Sequence, residues 1–327
     1  MKPLLSVRDL VVEFQLERGT LRAVNHVSLD VYPGEIMAIV GESGSGKSTL
    51  AFALLNLVPP PGRIVNGQVH FDGVDVLGLS GDALRHYRWR DVAMVFQAAQ
   101  NVLNPVMRVV DHFLDTARDH GITSEREVLS WAEELLRMVR LEPSRVLAAY
   151  PHELSGGMRQ RVVIALSLLL KPRLVILDEP TTALDVVTQA YIMDILNDIR
   201  REMNLTMLLL THDMSVVAKV ADRVGVMYAG RVMEIADIET IFYHPRHPYT
   251  VGLIHAAPSL IGDLDSKRPI PGSPPDLIHP PPGCPFRPRC EYASGQCEKD
   301  PALRVISDGH WVACHHWEQV GHHVPAT

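Results

Sequence analysis

Hydrophobic and polar positions change their period several times along this chain, and each change marks an element. Through residue 95 short apolar runs alternate with turn signals at Tyr32-Pro33-Gly34, Asn66-Gly67 and Asp72-Gly73, which predicts strands. Within that region Ile36–Val40 is apolar at every position, the pattern of a strand buried on both faces. Residues 50–57 then read as helix, stopped by Pro59-Pro60-Pro61-Gly62. Residues 104–141 have helical spacing, with Val128, Ala132, Leu135, Leu136 and Val139 on one face behind Ser124-Glu125-Arg126-Glu127, which reads as a capping box. Another helix is expected over 158–170, and residues 172–235 return to alternating strand and helix. That alternation predicts an α/β fold with a mainly parallel sheet. No internal repeat is evident.

Composition divides the chain. Its 327 residues suffice for one large domain of about 240 residues plus an appendage. Positions 245–327 hold 14 of the 24 prolines and all four cysteines, so a second module is expected from about 244 onward. Hydrophobic content is 46%, yet the longest apolar runs, such as 162–166, fall far short of the ~20 residues of a membrane span. Met1-Lys2-Pro3 leads into a strand pattern without a secretory segment, so a cytoplasmic location is expected. The net charge of −7, with no basic block, argues against nucleic acid as the main ligand.

The strongest chemical signal is Gly41-Glu42-Ser43-Gly44-Ser45-Gly46-Lys47-Ser48, followed by Thr49. It fits G-x-x-x-x-G-K-[ST] between an expected strand and an expected helix, where backbone N–H groups converge on an anion. Lys47 would reach the terminal phosphates and the Ser48 hydroxyl would ligate Mg²⁺. The second signal is Asp178-Glu179 at the end of the apolar run 174–177. Neighbours on a strand face opposite ways. Asp178 would therefore hold Mg²⁺ while Glu179 acts as general base on the attacking water.

Leu154-Ser155-Gly156-Gly157-Met158-Arg159-Gln160-Arg161 supplies a third signal. Ser155 reads as a helix N-cap, and the glycines expose N–H groups at the positive end of the following helix. With this segment the chain resembles the ATP-binding cassette (ABC) family. The resemblance implies a phosphate-loop NTPase cassette over 1–243 with an inserted helical subdomain over 98–165. It also implies that Ser155, Gly156, Gly157 and Asp185 meet the ATP held by a second cassette, facing head to tail. In the family's order, Gln97 matches the glutamine that reaches Mg²⁺ and the attacking water, and His212 the histidine at the γ-phosphate. Ala183-Leu184-Asp185 matches the segment crossing the dimer interface. Phe14 is the candidate adenine platform, although a phenylalanine in an early strand is usually core.

The C-terminal region resembles the extension of oligopeptide and dipeptide importer ATPases in three stretches. These are His244-Pro245-Arg246-His247-Pro248-Tyr249-Thr250, Pro271-Gly272-Ser273-Pro274-Pro275-Asp276-Leu277 and Gly283-Cys284-Pro285-Phe286-Arg287-Pro288-Arg289-Cys290. The implied role is an ATPase subunit at the cytoplasmic face of the membrane. Its implied partners are a second, related ATPase subunit, two transmembrane permeases and an extracytoplasmic substrate-binding protein. Peptides are the expected cargo. Oligosaccharide and nickel importers use the same ATPase type, and residues 98–101 after Gln97 depart from the D-P-M-x pattern of peptide importers. A soluble cassette protein of translation or DNA repair would share every ATP motif, but those typically carry paired cassettes, coiled coils or basic surfaces.

Cys284, Cys290, Cys297 and Cys314 lie within 31 positions, spaced C-x₅-C-x₆-C-x₁₆-C. Reducing conditions disfavour disulfides. A 4Fe-4S cluster is expected, as in some importers that this tail resembles. Zinc, with His310, His315 or His316 as further ligands, and unligated thiols are the alternatives.

Overall fold

The computed structural model describes residues 1–97, 102–182, 184–257 and 269–321. The segment 98–101 and Ala183 lie outside the described residues. In chain order the strands and helices begin with β1 (Leu5–Leu16), β2 (Gly19–Val31), β3 (Ile36–Val40), α1 (Lys47–Leu54), β4 (Gly62–Phe71) and β5 (Val74–Asp75). Next come α2 (Gly81–His86), β6 (Val92–Val95), α3 (Val109–Asp119), α4 (Glu125–Met138), α5 (Pro143–Ala148), α6 (Gly156–Ser167), β7 (Leu174–Asp178), α7 (Val186–Met203) and β8 (Thr206–Thr211). The chain continues through α8 (Met214–Val220), β9 (Arg223–Tyr228), β10 (Arg231–Asp237), α9 (Ile238–Tyr243), α10 (Pro248–Ala256), β11 (Arg304–Ser307) and β12 (His310–Val312). They group into two compact units, Met1–Leu77 with Leu210–Thr327, and Gly78–Leu209.

In the first unit β2-β1-β4-β5 form an antiparallel sheet, β1 pairing from Leu5↔Val31 to Leu16↔Gly19. Leu5, Val7, Leu10 and Val12 of β1 are buried with Val24, Val27 and Leu29 of β2. Asn66-Gly67 reads as a turn in sequence but lies inside β4, where β1 shifts register between Arg8 and Val11. Gly67 has φ +105°, and a Cβ there would stand 2.5 Å from the Leu10 backbone, so the glycine marks an irregularity in the sheet and not a chain reversal.

The other strands of this unit run β11-β12-β10-β9-β3, with β3 parallel to β9 and the remainder antiparallel. Every residue of β3 is buried, which explains its unbroken apolar run. Ala229 and Gly230, both at positive φ, make the two-residue reversal between β9 and β10.

In the second unit β8, β7 and β6 lie side by side, β6 and β7 parallel. Helices α3 to α6 pack through Phe113, Val128, Ala132, Leu136 and Val162, all essentially inaccessible. Helix α4 starts where the sequence predicts, but the Ser124 side chain makes no cap bond. The Glu127 N–H donates instead to the Ser124 carbonyl at 3.1 Å, a backbone turn that leaves the hydroxyl unused for capping. No helix among the described residues is long and apolar enough to cross a membrane.

Candidate nucleotide site

The loop after β3 is shaped by close backbone approaches. A Cβ on Gly41 would lie 2.0 Å from the Met227 carbonyl oxygen, and one on Gly46 2.2 Å from that of Ala23, so no side chain fits at either position. Gly46 also takes φ +102° as the N-cap of α1. The Lys47 ammonium donates to the carbonyls of Gly41 at 2.7 Å and Glu42 at 3.1 Å, and to Ser45 Oγ at 3.3 Å. Lys47 is buried, whereas Ser43 and Gly44 are exposed and Ser48 and Thr49 half-buried. The loop thus curls around a lysine, with Ser43 and Gly44 facing outward.

Asp178, the last residue of β7, is only 2% exposed. Glu179 does not continue the strand to its opposite face. Its φ of +47° is left-handed, a conformation that costs about 1–3 kcal/mol for a residue with a Cβ. The turn brings its carboxylate to two donors, Gln97 Nε2 at 3.2 Å and Thr182 Oγ1 at 2.8 Å, both on Oε2. Strand alternation predicts that Asp178 and Glu179 face opposite ways, but a strained turn and not the pleat separates them. Thr182, whose hydroxyl donates to Glu179, carried no role in the sequence reading, because a threonine after an acidic pair has no motif value by itself.

Ser155 caps α6 as expected, its Oγ accepting from the Met158 N–H at 3.3 Å. A Cβ on Gly157 would stand 2.9 Å from Thr188 Cγ2, so the glycine admits α7 at close range. Arg161 ties this helix to the same neighbour. It donates to the carbonyls of Gly157, Val139 and Arg140, and with Arg140 it flanks the Tyr191 ring at 5.4 and 5.0 Å. Asp185 caps α7, accepting from the Thr188 N–H at 2.9 Å and hydroxyl at 2.7 Å, bonds that hold its carboxyl below the usual range. His212 is exposed just after β8. Phe14, half-buried in β1, packs its ring edge where Gly62 of β4 leaves no side chain.

Residues 24–182 match the ABC transporter family, and residues 233–297 match the C-terminal region of oligopeptide/dipeptide transporters. The dipeptide transport ATP-binding protein DppD of Caldanaerobacter subterraneus is 46% identical over 98% of each chain. The oligopeptide transport ATP-binding protein OppD of Escherichia coli is 44% identical over 95% of this chain and 92% of that one. The chain belongs to the oligopeptide/dipeptide branch of the ATP-binding cassette transporter family. The cassette fold is shared with MJ0796, a bacterial ABC transporter cassette solved as a dimer and in a post-hydrolysis state bound to ADP and Pi. Each of those structures gives a TM-score of 0.62 at 30% identity, covering 72% of this chain and 98% of the cassette. As an ABC ATPase, the chain binds and hydrolyses ATP.

In this ABC protein the C-terminal segment is seated on its own unit. The Glu234 carboxylate in β10, fully buried, accepts from the backbone N–H groups of Arg246 at 2.6 Å and His247 at 3.1 Å and pairs with His310 Nε2 at 2.8 Å. Tyr228, Tyr249 and Phe286 meet in tilted and edge-on contacts, with ring centroids 4.6 to 5.4 Å apart. Sequence patterning missed this anchor, since an acid inside an apolar strand carries no motif.

The expected 4Fe-4S cluster, and zinc in its place, are corrected here. No group of three or more His, Cys, Asp or Glu among the described residues is placed to hold a metal ion. Cys284, Cys290, Cys297 and Cys314 are free thiols, all but Cys290 buried. Burial pushes the Cys284 thiol up, that of Cys290 up to about 12 and that of Cys314 to about 11. Cys314 Sγ accepts from the His316 N–H at 3.3 Å, and the Cys284 N–H donates to the Cys297 carbonyl at 3.0 Å. Clustering in sequence reflects a compact loop module whose thiols serve as packing groups.

Proposed function

We propose that this ATPase powers the import of peptides across the cytoplasmic membrane, bound at the cytoplasmic face to two permeases. A second, related ATP-binding subunit and an extracytoplasmic substrate-binding protein complete the machine. The observation that carries the reading is the combination of cassette and oligopeptide/dipeptide C-terminal region in one chain, matched nearly end to end by a dipeptide transport protein. In this reading 1–243 is the cassette, 98–165 its helical subdomain and 244–327 the extension.

Each side chain then has a task. Gly41, Ser43, Gly44, Gly46, Lys47 and Thr49 cradle the triphosphate, Lys47 turning from the loop carbonyls to the phosphate oxygens. Phe14 supports the adenine. Ser48, Gln97 and Asp178 offer hydroxyl, amide and carboxylate oxygens, a hard donor set that suits Mg²⁺. The Gln97 amide nitrogen is committed to Glu179, so its oxygen is the atom offered to the cation. The ion, when bound, offsets phosphate charge. Glu179 takes the proton of the attacking water, oriented through Oε2 by Gln97 and Thr182. The bond from the γ-phosphorus to its bridging oxygen breaks, and His212 steadies the departing phosphate. Ser155, Gly156, Gly157 and Asp185 serve the partner's ATP, whose sequestration between cassettes drives the permeases. Uptake of labelled di- and oligopeptides by cells lacking the chain tests this reading. Uptake restored by the parent and not by Glu179→Gln supports it, and unchanged peptide uptake in the deleted strain refutes it.

A further inference from the structure

Glu42 is an oddity at a site that binds a polyanion, because it places a carboxylate on the second residue of the phosphate loop. The C-terminal segment answers it. Arg289, 247 positions away in sequence, donates to both carboxylate oxygens, Nη1 to Oε2 at 2.6 Å and Nη2 to Oε1 at 3.0 Å. Such a fork is the strongest geometry available to an arginine and a carboxylate. The Arg289 side chain is 4% exposed and that of Glu42 28%. Further bonds fix the guanidinium: Nε donates to the Pro271 carbonyl at 2.7 Å and Nη1 to Tyr228 Oη at 3.3 Å. Tyr249, also from the C-terminal segment, accepts from the Glu42 N–H at 2.8 Å. Both the side chain and the backbone of this loop residue are thus held by groups from beyond position 248.

We propose that Arg289 is a positioning residue for nucleotide binding. It cancels and fixes the Glu42 charge, so that the phosphate loop presents a net attractive face to a triphosphate only while the C-terminal segment is docked. This rests on the assignment of residues 41–48 as the phosphate loop. Bare, the carboxylate would oppose the phosphates. At the effective dielectric of a protein surface, one unpaired charge several ångströms away weakens anion binding on the order of ten-fold.

A fluorescent ATP analogue titrated into the full-length chain tests the proposal. Arg289→Met is expected to weaken affinity about ten-fold, and adding Glu42→Gln to it to recover most of the loss. A merely structural arginine, needed to hold Pro271, would not be rescued by Glu42→Gln. Unchanged affinity in Arg289→Met, or a double variant no better than the single, overturns the proposal. Should Arg289→Met not fold, Glu42→Gln alone decides: binding at least as tight as the parent supports the idea, and ten-fold weaker binding sinks it. Lys47→Ala separates the two levels of inference. If it too leaves affinity intact the phosphate-loop assignment fails, whereas a loss there beside an unaffected Arg289→Met removes the Arg289 role alone.

Discussion

Lowering the pH from 7 to 5 should loosen the C-terminal segment, and His247 sets the size of the effect. The ring is wholly buried, 5.9 Å from the Phe286 ring, and its Nδ1 accepts the Tyr249 N–H at 3.0 Å at the start of α10. Protonating Nδ1 would destroy that bond and bury a cation away from water. Burial accordingly drives its pKa from 6.5 down to about 3. A depressed folded-state value means the unfolded chain binds the proton more readily. The stability contribution is complete above pH 6.5 and is lost as pH falls from 6.5 toward 3. The slope is about 1.4 kcal/mol per pH unit within that window, which gives a loss of about 2 kcal/mol between pH 7 and pH 5. Urea titrations followed by tryptophan emission, with Trp311 and Trp317 in the C-terminal segment, would read it. His247→Asn keeps an oxygen acceptor for the Tyr249 N–H without a titrating ring, so its stability should change less over the same range. An equal pH slope in both proteins would refute the assignment to His247.

Glu179→Gln should retain ATP binding while turnover falls roughly 10²- to 10⁴-fold, and single-turnover hydrolysis near the parent rate would remove Glu179 from the role of base. Thr182→Val deletes one of the two donors on Glu179 Oε2 and should lower kcat about three- to ten-fold with little change in KM, the loss of one hydrogen bond; a rise in KM at constant kcat would contradict it. Lys47→Ala should abolish tight nucleotide binding, read by equilibrium titration. The cysteines should behave as buried thiols: at pH 8 iodoacetamide should label Cys284, Cys297 and Cys314 far more slowly in the native protein than in urea, and equal rates would refute their burial.

What the sequence discloses here is whatever is local. The unbroken apolar runs at 36–40 and 174–177 mark strands because both faces are covered, and Ser155 caps its helix because capping needs only three residues. Glu179 stands out in sequence as a candidate base, yet its left-handed turn does not, since backbone strain is imposed by surroundings and not by the residue. Gly67 misled for a related reason. An Asn-Gly pair favours a turn, but the same φ freedom serves a bulge when a neighbouring strand approaches. The thiol spacing suggested a shared ligand, but no group of three or more His, Cys, Asp or Glu among the described residues is placed to hold a metal ion. The pairing of Glu42 with Arg289 left no trace in any short window, because only the folded chain brings the two positions together.

The buried acid of β10 has a consequence for how the polypeptide is made. Glu234 meets water until Arg246, His247 and His310 have all been synthesised, and β12 joins the sheet beside it only after residue 312 has emerged. A chain stopped before that point would leave the Glu234 carboxylate hydrated and the β10 border of the sheet unpaired, a state more open to proteases.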